Sequence, residues 1–280
     1  MVIVITGILS SIVAVFITKP VQGYVDSVRR AELTDAADIA LRRMTRDIQL
    51  ALPNSLRITA AGGVNYIEFI MTSGGGRYRD VGDGSTGGIS FNWTSITSCG
   101  TTPNNCKFDV LGAMPSNPAI SVGDLIVIYN LGDGYNPANA YNYNTGTDAC
   151  AGGGCNVAKV ASLSGNTVTL TANPFAAQSP PLSSAYARFQ VVPGAVRAVT
   201  FACPAVAGSF TRYWNYGFTA AQPTTFASGS SALLATGASC TVDYASAATG
   251  RNGLLFVQLT LTAGGESVSL FEQIHVDNAP

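Results

Sequence analysis

The pattern of hydrophobic and polar positions divides the chain near residue 52. Residues 1–18 carry no charged side chain, and Lys19 is the first ionisable one. Beyond it, apolar positions recur mostly at three- and four-residue steps, which is the spacing of one helical face. This stripe consists of Val21, Val25, Val28, Leu33, Ala37, Leu41, Met44, Ile48 and Leu52. The pattern predicts one long helix over 1–52, with an apolar half (1–18) and an amphipathic half (19–52).

The apolar half of this helix is close to the length that a bilayer core requires, about 20 residues. Its candidate residues for packing in a membrane or a filament are Val2, Ile5, Ile8, Leu9, Ile12, Val15 and Phe16. Pro20 lacks an amide donor and Gly23 favours the helix weakly, so we expect a break between the halves. A helix over 1–52 would be roughly 75–80 Å long, so we expect part of it to pack against something outside this chain.

The chain after Pro53 changes to short period-two runs separated by Gly, Asn and Pro, which is typical of β-strands. The predicted strands are 55–60, 65–71, 89–93, 107–111, 124–130, 157–163, 167–171, 185–192, 195–203, 209–216, 254–262 and 267–276. Residues 73–88 and 131–155 are expected to be loops. The predicted fold class is α+β, with the helix packed on an antiparallel β-rich region at 53–280 that forms one sizeable domain or two small ones.

The composition is poor in charge, which narrows the possible partners. Charged residues make up 11% of the chain, against about 25% in ordinary soluble domains. The formal net charge is −1, and no basic patch suggests nucleic acid. A surface of this kind is more common outside the cytoplasm than inside it.

The six cysteines all lie after residue 98, four of them in Gly-, Asn- and Thr-rich segments. An even number in such segments indicates disulfides and an oxidising compartment. Metal binding is the alternative, but the chain has no C-x-x-C motif and a single histidine. Fifteen connectivities are possible. The favoured one is sequential because it closes two tight loops: Cys99–Cys106, Cys150–Cys155 and Cys203–Cys240.

No pattern of catalytic or cofactor-binding residues is present. The single histidine, His275, alternates with Ile274 and Val276 in a predicted strand, which favours a structural position over that of a general base. Neither G-x-x-x-x-G-K-S/T nor a G-x-G-x-x-G after a strand occurs. We therefore expect neither an enzyme nor a cofactor.

Two sets of loop residues are candidates for binding. Four aspartates in glycine-containing loops are weak candidates for calcium: Asp80, Asp83, Asp133 and Asp148. They lack the D-x-D-x-D-G spacing with a distal Glu, and Asp-Gly is an ordinary turn pair, so no metal site is predicted. Four tyrosines near asparagines could bind a sugar or a protein: Tyr129, Tyr135, Tyr141 and Tyr143.

The first helix also carries a family resemblance. Residues 1–17, MVIVITGILSSIVAVFI, resemble the membrane segment of type IV pilins and type II secretion pseudopilins. Residues 37–48, ADIALRRMTRDI, are similar to the larger minor pilins. Three later segments resemble minor pilins of the mannose-sensitive haemagglutinin (MSHA) pilus: NPAISVGDLIVIYN (117–130), FTRYWNY (210–216) and GGESVSLFEQIHVDN (264–278). The Gly-Phe-Thr-x-x-Glu processing signature of pilins is absent, so no processing site is assigned.

The resemblance implies a pilin-like fold and a single-pass protein of the bacterial inner membrane, with a periplasmic C-terminal domain that later reaches the pilus or cell surface. It implies a minor pilin that takes part in initiation, assembly or the tip of the filament. The expected partners are other major and minor pilin subunits, the inner-membrane assembly platform, and lipid before assembly. Two alternatives remain open: a type II secretion pseudopilin, and a membrane-tethered module that binds a ligand or glycan.

Overall fold

A computed structural model of the chain describes residues 2–81, 87–94, 99, 106–151, 154–246 and 252–280. Within the first helix, the side chains at 2, 8, 10–12, 14–15 and 17–18 lie outside this description. The helix α1 spans Val2–Gln49 and is the one α-helix of the described residues. Short 3₁₀ turns lie at Ala140–Asn142, Pro174–Ala177 and Ala185–Ala187.

Fifteen strands follow α1 in the described part of the chain. They are β1 Arg57–Ala61, β2 Val64–Ile70, β3 Gly74–Arg77, β4 Lys107–Asp109, β5 Leu125–Val127, β6 Tyr143–Asn144, β7 Ala149–Cys150, β8 Val157–Ser164, β9 Thr167–Leu170, β10 Arg188–Val192, β11 Ala198–Pro204, β12 Gly208–Trp214, β13 Ser230–Ala245, β14 Asn252–Ala263 and β15 Glu266–Asp277. Seven of them form the larger sheet, in the order β1-β2-β11-β12-β13-β14-β15. A second sheet has the order β3-β10-β5-β8-β9-β4, and β6 and β7 form a separate hairpin.

The predicted α+β class is wrong. Strands account for 42% of the structure and helices for 20%, so the protein is mostly β, with two curled antiparallel sheets. The reason is that segments expected to be loops contain strands. β3 lies within 73–88, β6 and β7 lie within 131–155, and the longest strand, β13, follows the predicted strand 209–216.

The predicted membrane span and location are also wrong. In the part of the chain that the structure describes, no helix has the length and apolar character needed to cross a bilayer. Thr6 and Gly7 interrupt the apolar residues of α1, and charges begin at Lys19. The assignment of residues 1–18 as the span of a single-pass inner-membrane protein is therefore withdrawn.

Three disulfides join the cysteines in the sequential pairing: Cys99–Cys106, Cys150–Cys155 and Cys203–Cys240. The third bond links β11 to β13 across the intervening strand β12. Disulfides of this number agree with an extracytoplasmic location.

The C-terminal half of α1 packs on the larger sheet, as its apolar stripe predicts. Leu41, Met44 and Ile48 are buried in one cluster with aromatic and aliphatic side chains of β2, β11 and β14. A buried ion pair adds to this packing, because Asp47 accepts a hydrogen bond from Arg212 Nε of β12 at 2.6 Å. The apolar positions Val21, Val25 and Val28 lie on the same stripe and are exposed.

The predicted break at Pro20 and Gly23 does not end the helix, because α1 continues through both residues. A proline removes one backbone hydrogen bond, and the turns on either side keep theirs. The prediction of a strand at 89–93 is wrong, because these residues belong to no strand. Its side chains Phe91 and Trp93 stack at 4.4 Å between ring centroids and pack on the core of the second sheet.

Candidate functional site

The N-terminal half of α1 projects beyond the β strands. Among the described residues of α1, Arg29 and Arg30 are the first to hydrogen-bond with the β region. Arg29 Nη1 donates to the Gly264 carbonyl, and Arg30 Nε donates to the Glu266 carboxylate. Gly264 lies in the turn between β14 and β15, and Glu266 is the first residue of β15. The segment from residue 2 to residue 28 therefore extends past this turn by roughly 40 Å at 1.5 Å per residue.

The side chains of this projecting segment, residues 2–28, are mostly apolar and exposed. The large apolar side chains that are described and exposed, by 40% to 87%, are Ile3, Val4, Ile5, Leu9, Val13, Phe16, Val21, Tyr24, Val25 and Val28. Burying one such side chain is worth about 1.5–3 kcal/mol. An apolar surface of this extent favours association with another apolar surface.

Three of the seven predicted packing residues belong to this exposed surface. Ile5 is 54% exposed, Leu9 55% and Phe16 79%. The side chains of the other four lie outside the described residues: Val2, Ile8, Ile12 and Val15.

A cleft of about 700 Å³ lies beside the β6–β7 hairpin. The segment after β12 forms its opposite wall, and the turn before β11 contributes Arg197. Its described lining includes the side chains of Asn144, Thr145, Asn215 and Ser228. We call this polar cleft the hairpin cleft.

The floor of the hairpin cleft rests on a buried ionic group. Glu68 of β2 is fully buried and accepts hydrogen bonds from Arg57 Nε at 2.6 Å and from the Tyr216 hydroxyl at 2.9 Å. Burial raises the pKa of the Glu68 carboxyl, and the Arg57 guanidinium opposes this shift without reversing it. Burial likewise raises the pKa of Tyr216 well above its usual value, and the Glu68 carboxylate adds to that shift.

Arg57 connects this ionic group to the walls of the cleft. Its Nη1 and Nη2 donate to the carbonyls of Ala220 and Thr219, at 2.7 and 2.8 Å. Its guanidinium carbon lies 3.6 Å from the ring centroid of Tyr141. The tyrosine hydroxyl in turn donates to the Ser55 carbonyl at 2.8 Å. These contacts hold the segment after β12 and the 3₁₀ turn at 140–142 in fixed positions.

The four candidate tyrosines do not form one surface. Tyr141 and Tyr143 line the hairpin cleft but are buried, at 3% and 2% exposed. Tyr135 is 63% exposed and lines a different cleft with Asp133. Tyr129 is partly buried against the core of the second sheet.

The candidate calcium ligands are dispersed and already hydrogen-bonded. Asp80 accepts from the Trp93 indole at 2.7 Å, and Asp133 accepts from the Gly134 amide at 3.0 Å. Asp148 binds Lys159 Nζ at 2.6 Å, and this bond holds the pKa of the carboxyl below its usual value. Asp83 lies outside the described residues. Among the described residues, no three His, Cys, Asp or Glu side chains form a group that could hold a metal ion.

Several residues of the hairpin cleft escape sequence reasoning. Arg197 and Asn215 have positive φ angles of 61° and 59°, whereas the sequence pattern predicts extended strands over 195–203 and 209–216. Glu68 is different, because a charge within the apolar run Tyr-Ile-Glu-Phe-Ile signals a buried partner.

Comparisons of this chain with models of protein families, with curated proteins and with solved structures find no match.

Proposed function

We propose that this chain is a minor subunit of an MSHA-type type IV pilus, which takes part in initiation, assembly or the tip of the filament. The observation that carries the proposal is the projecting segment 2–28 of α1, whose exposed apolar side chains include Val13 and Phe16. In this proposal the segment packs against equivalent helices of other major and minor pilin subunits, and the assembly platform of the pilus brings them together. The sequence resemblance of residues 1–17 to pilins supports the same assignment.

A helical packing surface fits the chemistry of the segment. Apart from its first turn and the hydrogen bond that Pro20 removes, the helix satisfies its own backbone groups, so association has to cover mainly side chains. The described residues 3–18 carry no charge that a partner would have to desolvate. The β strands lie beyond Arg29 and would remain outside such a helical bundle.

The test is incorporation into filaments. In a pilus-forming host that depends on this chain, Val13→Asp places a charge in the proposed interface, and we expect the chain to be lost from sheared surface filaments. Val206→Asp is the matched control, because Val206 is 73% exposed in the turn after β11. Incorporation of the Val13→Asp chain at the level of the control would contradict the proposal.

Deletion of the gene separates the pilus from the related secretion machine. Loss of surface pili with normal protein secretion supports the pilus subunit. Loss of secretion with normal pili would instead identify a type II secretion pseudopilin, which would use the same helix.

A further inference from the structure

The hairpin cleft presents several hydrogen-bonding groups without protein partners among the described residues. The side-chain oxygen Oδ1 of Asn144 accepts from the Gly146 and Thr147 amides, at 2.9 and 3.2 Å, which leaves the side-chain NH₂ group free to donate. The side chains of Asn215 and Ser228 are exposed and make no hydrogen bond within this part of the chain. Neutral donors and acceptors of this kind match hydroxyl groups.

Arg197 is the one charged side chain in the described lining of the cleft. Its Nε donates to the Gly194 carbonyl at 2.8 Å, and its own carbonyl accepts from the Met71 amide at 3.0 Å. The two terminal nitrogens of the guanidinium have no acceptor among the described residues, so they are available to a ligand. A guanidinium edge of this kind binds a carboxylate through two parallel hydrogen bonds.

Asp148, whose carboxylate interacts electrostatically with Arg197, is already paired with another cation. Asp148 binds Lys159 Nζ through one oxygen and accepts from the Tyr143 hydroxyl through the other, at 2.6 and 3.1 Å. The charges of Asp148 and Lys159 cancel, so the guanidinium supplies a net positive charge. The cleft therefore favours a ligand with a single negative charge.

The walls of the cleft are fixed before any ligand binds. The Cys150–Cys155 disulfide closes the hairpin side, and Arg57 holds the carbonyls of Thr219 and Ala220 on the other. Phe218 packs edge-on against Tyr141 and Tyr143, with ring centroids 6.2 and 6.4 Å apart. A preformed, partly aromatic cleft of about 700 Å³ falls within the size range of small-ligand sites.

From these features we infer that the hairpin cleft binds an acidic sugar. The sugar carboxylate pairs with the terminal nitrogens of Arg197, and its hydroxyls bond to Asn144, Asn215 and Ser228. Phosphate fits less well, because a single cation faces several neutral amides and hydroxyls. This binding site is independent of helix packing.

The experiment measures binding of glucuronic acid and N-acetylneuraminic acid to the full chain by isothermal titration calorimetry, with glucose and inorganic phosphate as comparisons. We expect saturable binding of at least one acidic sugar, with glucose and phosphate at least tenfold weaker. Arg197→Asn removes the guanidinium while keeping a residue that tolerates φ of 61°. We expect it to weaken binding of the acidic sugar at least tenfold, and Arg197→Lys to weaken it less.

Arg188→Asn is the matched control, since Arg188 lies over the ring of Tyr186 outside the cleft lining. It is expected to leave the affinity unchanged. Asn215→Gly is a second probe in case Arg197→Asn does not fold, because glycine accepts the φ of 59° at this position. We expect it to weaken binding severalfold.

Absence of saturable binding by either acidic sugar would overturn the inference. So would equal binding of glucose or phosphate, or an affinity that none of the cleft variants changes. The cleft variants are expected to enter filaments normally, which keeps this test separate from that of the pilus subunit.

Discussion

At the scale of single residues, Glu68 is a carboxyl group that the fold removes from water. Its carboxylate is fully buried, yet it lies between a guanidinium and a phenol, Arg57 and Tyr216. Removing a charge from water costs several kcal/mol, and one ion pair recovers part of that cost. The pKa of the Glu68 carboxyl is raised because the effect of desolvation exceeds the attraction of Arg57.

The pH dependence of stability should follow from this shift. A carboxyl with a raised folded pKa binds its proton more tightly in the native state. Its contribution is full below the unfolded pKa of about 4.3 and declines as pH rises through the folded pKa. We expect the difference in melting temperature, wild type minus Glu68→Gln, to fall as pH rises from about 4 to 8. Scanning calorimetry measures this difference, and Glu32→Gln is the control for the loss of one carboxylate. A difference that stays flat or rises with pH would contradict the expectation.

Gly237 permits a close backbone contact in β13. Its φ is +62°, and a Cβ there would lie 2.2 Å from the Thr262 carbonyl oxygen. Gly165 has a similar φ of +57° with open space around it. We expect Gly165→Ala to lower the free energy of unfolding by about 1–2 kcal/mol from strain alone. Gly237→Ala should cost about 1–3 kcal/mol more because the backbone must move. Urea denaturation compares them, and equal losses would show that the contact is unimportant.

At the scale of elements, the docking of α1 on the larger sheet combines apolar packing with one buried ion pair. Asp47 and Arg212 have side chains 11% and 8% exposed, and Arg212 also lies 4.8 Å from the centroid of the Trp214 ring. A second pair on the same helix, Asp38 with Arg42, has the same chemistry but is exposed. A comparison of variants of the two pairs therefore separates the effect of burial on stability from the effect of charge.

Truncation of the buried pair should destabilise the protein strongly. We expect Asp47→Ala to lower the free energy of unfolding by about 3–5 kcal/mol, because it leaves Arg212 buried and unpaired. Asp38→Ala should cost about 0–0.5 kcal/mol. The double variant Asp47→Ala with Arg212→Ala should be less destabilised than the sum of its single changes. A double-mutant cycle by urea denaturation measures this coupling, and strict additivity would rule out a direct interaction.

The elements differ in how well the sequence predicts them. The helical stripe of α1 predicts its extent to within a few residues of Val2–Gln49, and the alternation at the C-terminus predicts β14 and β15 closely. In contrast, the sequence pattern misses β13, the longest strand. Ser230–Ala245 consists largely of Ser, Ala, Thr and Gly, which carry little apolar alternation. Its pairing with β12 and β14, rather than its own residues, makes it a strand.

At the scale of the whole molecule, the site was less predictable than the fold. Tyr141 and Tyr143 lie in the hairpin cleft as a loop surface would suggest, but both are buried beneath it. Arg197 reaches the cleft from a turn that precedes β11, some fifty residues later in the chain. The buried cluster that Tyr141 and Tyr143 share with Ala198 and Phe218 brings such distant parts of the chain together, and no local pattern encodes that packing.

The separation between the projecting segment 2–28 and the rest of the molecule leads to the last prediction. A chain that begins at Arg29 keeps the hydrogen bonds of Arg29 and Arg30 to Gly264 and Glu266, and all of the buried stripe from Ala37 onward. We expect it to melt within a few degrees of the full chain. We also expect it to stay monomeric without detergent in size-exclusion chromatography with light scattering, whereas the full chain self-associates through its exposed apolar side chains.

A deeper deletion provides the control for this prediction. A chain that begins at Leu41 loses Leu33, Ala37 and Ala40, which pack against or within the core of the larger sheet. It should melt at a much lower temperature, because deletion of buried side chains leaves cavities. Oligomers of the same size from the chain that begins at Arg29 and from the full chain would place the association surface on the β strands instead. That result would remove the structural basis for packing through α1.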